Sequence, residues 1–254
     1  MKWMALVACV LPMWRRGTVI AHSEAMSTSD ASPWHRRYAD RHEAGVALAD
    51  RLLDFAGRDV VVLGLPRGGI PVAYEVARVL HAPLDVFVVR KLGLPGHPEL
   101  AMGAIASGGV RVLNEDLVRQ LRVPTDAIEA VARAEQTELE RRERAYRGAR
   151  TAIPIAGRVA ILVDDGLATG STMRAAVLAV RRLIPAELIV AVPVGARDTC
   201  RALSDVADDV VCALMPEPFT AVGLWYENFD QTTDQEVRDL LAAATAAPQA
   251  KRSA

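Results

Sequence analysis

The chain has 254 residues, 51% hydrophobic and 24% charged, enough for one sizeable globular core with additions. Lys+Arg 30 against Asp+Glu 31 gives a net charge of −1, so no positive field draws the protein to nucleic acid or an anionic membrane, and neither is expected as a partner. The three cysteines, Cys9, Cys200 and Cys212, supply neither the dense even count of a disulfide framework nor zinc-site spacing; a cytoplasmic protein is expected, with Cys200 and Cys212 as small buried hydrophobes.

The chain opens on "MKWMALVACVLPMWRRGTVIAHSEA", a basic residue and an apolar run that imitate a secretory signal. Pro12 interrupts the run, Arg15 and Arg16 close it, and it is shorter than the ~20 residues that span a bilayer. Residues 1–33 are therefore expected to be a disordered or non-native extension, with a cleaved signal as the lesser alternative. One domain is expected over residues 34–242, and "AAATAAPQAKRSA" places a frayed tail at 243–254.

Within the domain, "RHEAGVALADRLLDF" has helical spacing, and Val60 to Leu65 is a β-branched run stopped by "PRGG". "IPVAYEVARVL" reads as a helix, "LDVFVVRK" as a second strand, and "AMGAIASGGVRVLN" as a hairpin turning at Gly108 and Gly109. Residues 126–147 form a charged surface helix around Ile128, Val131, Leu139 and Tyr146, with its charges expected in water. Then come a strand at 158–164, a helix from Ser171 to Leu183, the strand "ELIVAVPV", a helix near "DTCRALSDV" and the strand "DVVCALM". Apolar runs alternating with helices predict an α/β fold, an open and mainly parallel twisted sheet flanked by helices.

The densest chemistry lies in "ILVDDGLATGST", residues 161–172. In an open α/β sheet, ligands bind beyond the carboxyl ends of the strands, where Asp164 and Asp165 fall. Gly166, Gly170 and the small residues between them permit close backbone approach, and a helix starting near Ser171 aims its free N–H groups at the loop. The loop suits a phosphate. The carboxylates would repel that same phosphate, but they can accept hydrogen bonds from vicinal hydroxyls and help to retain a hydrated divalent cation. A phosphorylated sugar supplies both halves. An isolated Asp-Asp before glycine would otherwise be a solvated turn.

"VAILVDDGLATGSTMRAAV" closely resembles the ribose-phosphate signature of the type I phosphoribosyltransferases, which bind phosphoribosyl pyrophosphate (PRPP). The resemblance extends over about residues 35–240 and implies that family's fold, with a small hood and a mobile lid. It implies that Asp164 and Asp165 engage the ribose hydroxyls and, mostly indirectly, Mg²⁺ bound with PRPP. Ala168, Thr169, Gly170, Ser171 and Thr172 would cradle the 5′-phosphate. "GLPRGGIPVA" looks like the pyrophosphate loop, with Arg67 as charge and Gly68 and Gly69 as close-approach amides; in "VVRKLGLPG", Arg90 and Lys91 would face the pyrophosphate ahead of the lid. His97 and Glu99 fit a lid turn without any chemistry.

"PFTAVGLWYENF", residues 218–229, resembles the aromatic hood over the purine in the hypoxanthine-guanine branch, which makes Trp225 and Tyr226 candidates for stacking on a base; the alternative is core packing. The lid lacks the Tyr-rich continuation of the purine enzymes and the second lysine of the orotate type. The resemblance implies phosphoribosyl transfer to a nitrogenous, purine-like base by a homodimer, the alternative being a non-catalytic PRPP- or nucleotide-binding regulator. A metal-dependent phosphate-ester hydrolase is disfavoured, since no histidine or further carboxylate lies close by in sequence to complete a cage.

Overall fold

A computed structural model describes residues 37–246. The expected extension over 1–33 and positions 247–254 of the expected tail lie outside the described residues, whereas 243–246 belong to the last helix. In chain order the elements are α1 (Arg41–Asp50), β1 (Val60–Gly64), α2 (Gly69–Leu80), β2 (Leu84–Val86), β3 (Val89–Leu94), β4 (His97–Ala106), β5 (Val110–Leu113), α3 (Glu115–Gln120), α4 (Thr125–Arg147), β6 (Val159–Val163), α5 (Ser171–Arg181), β7 (Glu187–Val194), α6 (Arg197–Leu203), β8 (Asp209–Leu214) and α7 (Asp234–Ala246). Short 3₁₀ turns follow α1 and precede Tyr226.

The five-stranded sheet runs β2-β1-β6-β7-β8, and every pairing in it is parallel. Its central strands read as unbroken β-branched runs because both faces are covered. Val60 and Val62 pack under α1, α2 and α7 with Leu48, Ile70 and Leu241, while Val61 and Leu63 face the α5 and α6 side with Met173, Val177 and Cys200. Cys200 and Cys212 are both buried, as their apolar surroundings predict.

The expected second strand, "LDVFVVRK", is two strands in two sheets. β2 ends at Val86 on the parallel sheet, and β3 begins at Val89 in an antiparallel sheet of order β3-β4-β5. Phe87 and Val88 at the break are 2% and 1% exposed, so the apolar run continues straight through the change of sheet. The hairpin turn at Gly108 and Gly109 forms as expected, both residues at positive φ and Ala106 paired with Val110. The expected lid is the β3–β4 hairpin. Its base is anchored, with Leu92 and Met102 fully buried against the main core and the sheet packed on α4 and α5.

The charges of α4 are not all in water. Arg147 at its last turn reaches the buried Asp85 at 3.1 and 3.3 Å and also donates to the Val86 carbonyl, which ties α4 to the edge strand β2. Asp85 in turn accepts from the Ile153 N–H at 3.0 Å, so this buried carboxylate is satisfied from several directions.

Candidate functional site

The chain leaves β1 toward β2 on one side and returns in β6 on the other, so the strand order reverses between β1 and β6. A crevice opens beyond the carboxyl ends of the strands at such a switch point. The β1–α2 loop, with Arg67, Gly68 and Gly69, meets the β6–α5 loop, with Asp164 to Gly170, at this place. The contact is tight. A Cβ on Gly68 would lie 2.0 Å from Asp165 Oδ2, and one on Gly69 would lie 2.7 Å from the Val163 carbonyl and 2.9 Å from Asp164 Cα.

Asp164 and Asp165 sit together and partly covered at the end of β6, where Asp164 Oδ1 accepts from the Asp165 N–H at 2.9 Å. Burial raises the Asp164 carboxyl well above the ordinary range, and the Asp165 charge raises it further. Burial likewise raises Asp165, against the opposing pull of Arg41. Two clustered carboxylates that are costly to ionise suit a ligand supplying hydroxyl donors or a cation.

Arg41, at the start of α1, also reaches the site, and nothing in its sequence context marks it. Its Nε donates to Asp165 Oδ2 at 2.8 Å, an NH group donates to the Asp230 carbonyl at 2.8 Å, and its guanidinium lies 4.0 Å from the Phe229 ring centroid. The Arg41 and Asp165 side chains are 12% and 16% exposed. The partners are 124 positions apart, so no local spacing could signal the contact.

In the β1–α2 loop, Gly69 and Ile70 turn their N–H groups back to the Leu65 and Arg67 carbonyls, at 3.0 and 3.1 Å. Pro71 has no N–H to offer. Gly68 and Gly69 thus allow the close approach of the two loops, the Gly69 N–H being taken up within its own loop, and Arg67 is the loop's charge. Its NH1 lies 3.6 Å from Asp234 Oδ1 at the start of α7, a half-exposed pair that an arriving anion can outcompete.

In the β6–α5 loop, Gly170 takes the N-cap position at φ 67°, with no side-chain cap on α5. The first turn of an eleven-residue helix thus faces the loop without the usual Ser, Thr or Asp oxygen in front of it. A Cβ at Gly170 would meet Thr199 Cγ2 at 2.5 Å, and Thr199 Oγ1 donates to the Ala168 carbonyl at 2.7 Å, so α6 fixes the loop from behind. The Arg90 and Lys91 side chains point apart. Successive strand residues point to opposite faces, and Arg90 turns to Glu135 on α4, at 2.7 Å, while Lys91 Nζ reaches Ser171 Oγ at 2.8 Å.

Trp225 and Tyr226 lie in a buried cluster with Tyr38, Ala44 and Val194, only 5% and 3% exposed. The Tyr226 ring is flanked by Tyr38 and Phe229, with centroids at 5.7 and 4.9 Å. Its hydroxyl donates to the Asp165 carbonyl at 2.6 Å, which makes it a support for the acid pair. Burial raises the Tyr226 phenol, and the Asp165 charge adds to this. An exposed ring face, which stacking on a base requires, is offered by neither residue.

Among the described residues no group of three or more His, Cys, Asp and Glu side chains is arranged to hold a metal ion, and no helix is long and apolar enough to cross a membrane. Asp164 and Asp165 alone do not make a protein cage, but an acid pair suits a hydrated cation held chiefly by a ligand's phosphates.

Comparison with known proteins agrees with this geometry. A family model described as a phosphoribosyl transferase domain matches residues 96–227, just over half of the chain. A Mycobacterium tuberculosis protein that carries the provisional name of a phosphoribosyl transferase is 52% identical over 200 residues, covering 79% of this chain and 45% of its own length. The chain thus spans less than half of the curated relatives it matches. The crystal structure of the protein TT1426 from Thermus thermophilus superposes with a TM-score of 0.74 at 41% identity, covering 82% of this chain and 98% of that one.

Proposed function

The chain belongs to the phosphoribosyltransferase family, and from that premise we propose that it transfers a phosphoribosyl group from PRPP to a nitrogenous, purine-like base and releases pyrophosphate. The observation that carries the reading is the meeting, at the switch point between β1 and β6, of an acid pair with an uncapped helix N-terminus on one side and an arginine loop on the other. Ribose hydroxyls would donate to Asp164 and Asp165, the 5′-phosphate would lie in the Ala168–Thr172 loop, and the diphosphate would extend toward Arg67.

In the reaction, the bond from the anomeric carbon to the diphosphate oxygen breaks, and its electron pair leaves with pyrophosphate. The lone pair of the base nitrogen forms the new bond, and the proton carried by the base is released to solvent or to the departing pyrophosphate. The acid pair steadies the positive charge that develops on the ribose, and Arg67 offsets the negative charge on the leaving group. Mg²⁺ bound with PRPP would be retained by Asp164 and Asp165 and would supply further charge neutralisation. Arg90, held by Glu135, has no part in this scheme. A cytoplasmic homodimer is the setting we propose.

A second reading, a PRPP-binding regulator without turnover, draws support from the hairpin, whose buried Leu92 and Met102 limit the swing of a closing lid. One assay separates the two. With PRPP and Mg²⁺, a panel of purine and pyrimidine bases is expected to contain at least one that triggers pyrophosphate release. PRPP binding with no release for any base would favour the regulator, and base-independent release of inorganic phosphate would point to a hydrolase.

A further inference from the structure

Lys91 stands apart from Arg67 and Arg90, with which the resemblance groups it at the leaving group. It lies on β3 between Arg90, which faces α4, and Leu92, which is fully buried in the core. Lys91 is thus carried by the anchored base of the hairpin, not by its exposed tip. Its strand position pairs with Ala104, itself 4% exposed, so the register around it is fixed by packing on both strands. On the α5 side, Lys91 Nζ donates to Ser171 Oγ at 2.8 Å, and Ser171 Oγ lies 3.3 Å from Thr169 Oγ1. The ammonium, two loop hydroxyls and the uncapped first turn of α5 therefore share one small volume. Arg67 belongs to the other loop and is drawn toward α7.

We infer that Lys91 binds the 5′-phosphate of the sugar donor, not the diphosphate leaving group, and acts as a resident ligand that selects donors phosphorylated at C5. The inference rests on the reading of the two loops given above and replaces the pyrophosphate role that the family resemblance implies for Lys91. An ammonium has three N–H donors; one engaged by Ser171 leaves two for phosphate oxygens. The backbone under Lys91 is packed in place, while its side chain is exposed and held over the loop by Ser171, where an arriving anion can reach it.

The test compares ribose 5-phosphate and Mg²⁺-pyrophosphate as calorimetric probes on the wild-type chain, Lys91→Ala and Lys91→Arg, with melting temperature as the folding control. Lys91→Ala should weaken ribose 5-phosphate roughly ten- to hundredfold, the scale of one charged hydrogen bond, and change pyrophosphate by less than about twofold. Lys91→Arg should recover part of the ribose 5-phosphate affinity, which a merely structural lysine would not predict. A greater or equal loss for pyrophosphate, or no loss for either probe, would overturn the assignment and leave the two-loop reading intact. If the folded wild-type chain binds ribose 5-phosphate no better than ribose, the loop reading itself fails, and the Lys91 assignment with it.

Discussion

Replacing Trp225 with alanine is expected to lower the unfolding free energy by about 3 to 5 kcal/mol, the range for removing a large aromatic side chain from a packed core. The indole is 5% exposed among Tyr38, Ala44, Val194 and Tyr226. The Trp225 carbonyl accepts the Tyr38 N–H at 2.9 Å, so this stretch also joins the start of the described chain to the segment after β8. Denaturant titration reads the loss directly. Wild-type stability combined with a selective loss of base binding would instead restore Trp225 as a stacking platform and show that the hood opens to the ligand.

Arg41→Ala is expected to cost about 3 kcal/mol, the low end of the range for breaking a buried ion pair from one side. The substitution leaves Asp165 partly covered beside Asp164 without its cation and removes the contacts to Phe229 and the Asp230 carbonyl. The sign of its pH dependence follows from burial. Asp165 is already raised above the ordinary carboxylate range, and loss of Arg41 raises it further. A raised native carboxyl favours folding while protonated and loses that contribution as pH rises through its native value. The deficit of Arg41→Ala relative to wild type should therefore grow with rising pH over that range. A deficit that is constant with pH, or absent, would mean that the Arg41–Asp165 contact carries little weight.

Much of the fold was legible because its signals are local. The runs that become β1, β6, β7 and β8 are short, β-branched and bounded by glycine, proline or charge, and a parallel sheet covered on both faces requires such runs. The break at Phe87 and Val88 was not legible, because residues buried in one sheet or another look alike in sequence. Two helices had signals that passed unread. Asn114 caps α3 by accepting the Leu117 N–H, and Thr233 Oγ1 accepts from Glu236 ahead of Val237 and Leu241 in α7.

The site divides in the same way. The acid pair and the Gly170 loop form one continuous motif and lie where the strand-end reading puts them. Lys91 and Arg90 are neighbours in sequence, but strand alternation sends them to different partners, and that depends on which face of β3 meets α5. Arg41 and Thr199 support the site from remote helices, and neither "DRHE" nor "RDTC" marks them. Trp225 and Tyr226 illustrate a different limit, since an aromatic that stacks on a ligand and one that fills a core have the same composition and spacing.

Binding of the ribose of PRPP by the acid pair at the end of β6 is the claim on which the proposed reaction most depends. A calorimetric titration of PRPP with Mg²⁺ into the wild-type chain and into Asp165→Asn tests this directly. The amide keeps the size of the side chain but loses charge-assisted acceptance from a hydroxyl, so saturable wild-type binding should weaken by about 1.5 to 3 kcal/mol in a variant that remains folded. Equal PRPP affinity for the two proteins, or no uptake by the folded wild-type chain, would contradict the claim.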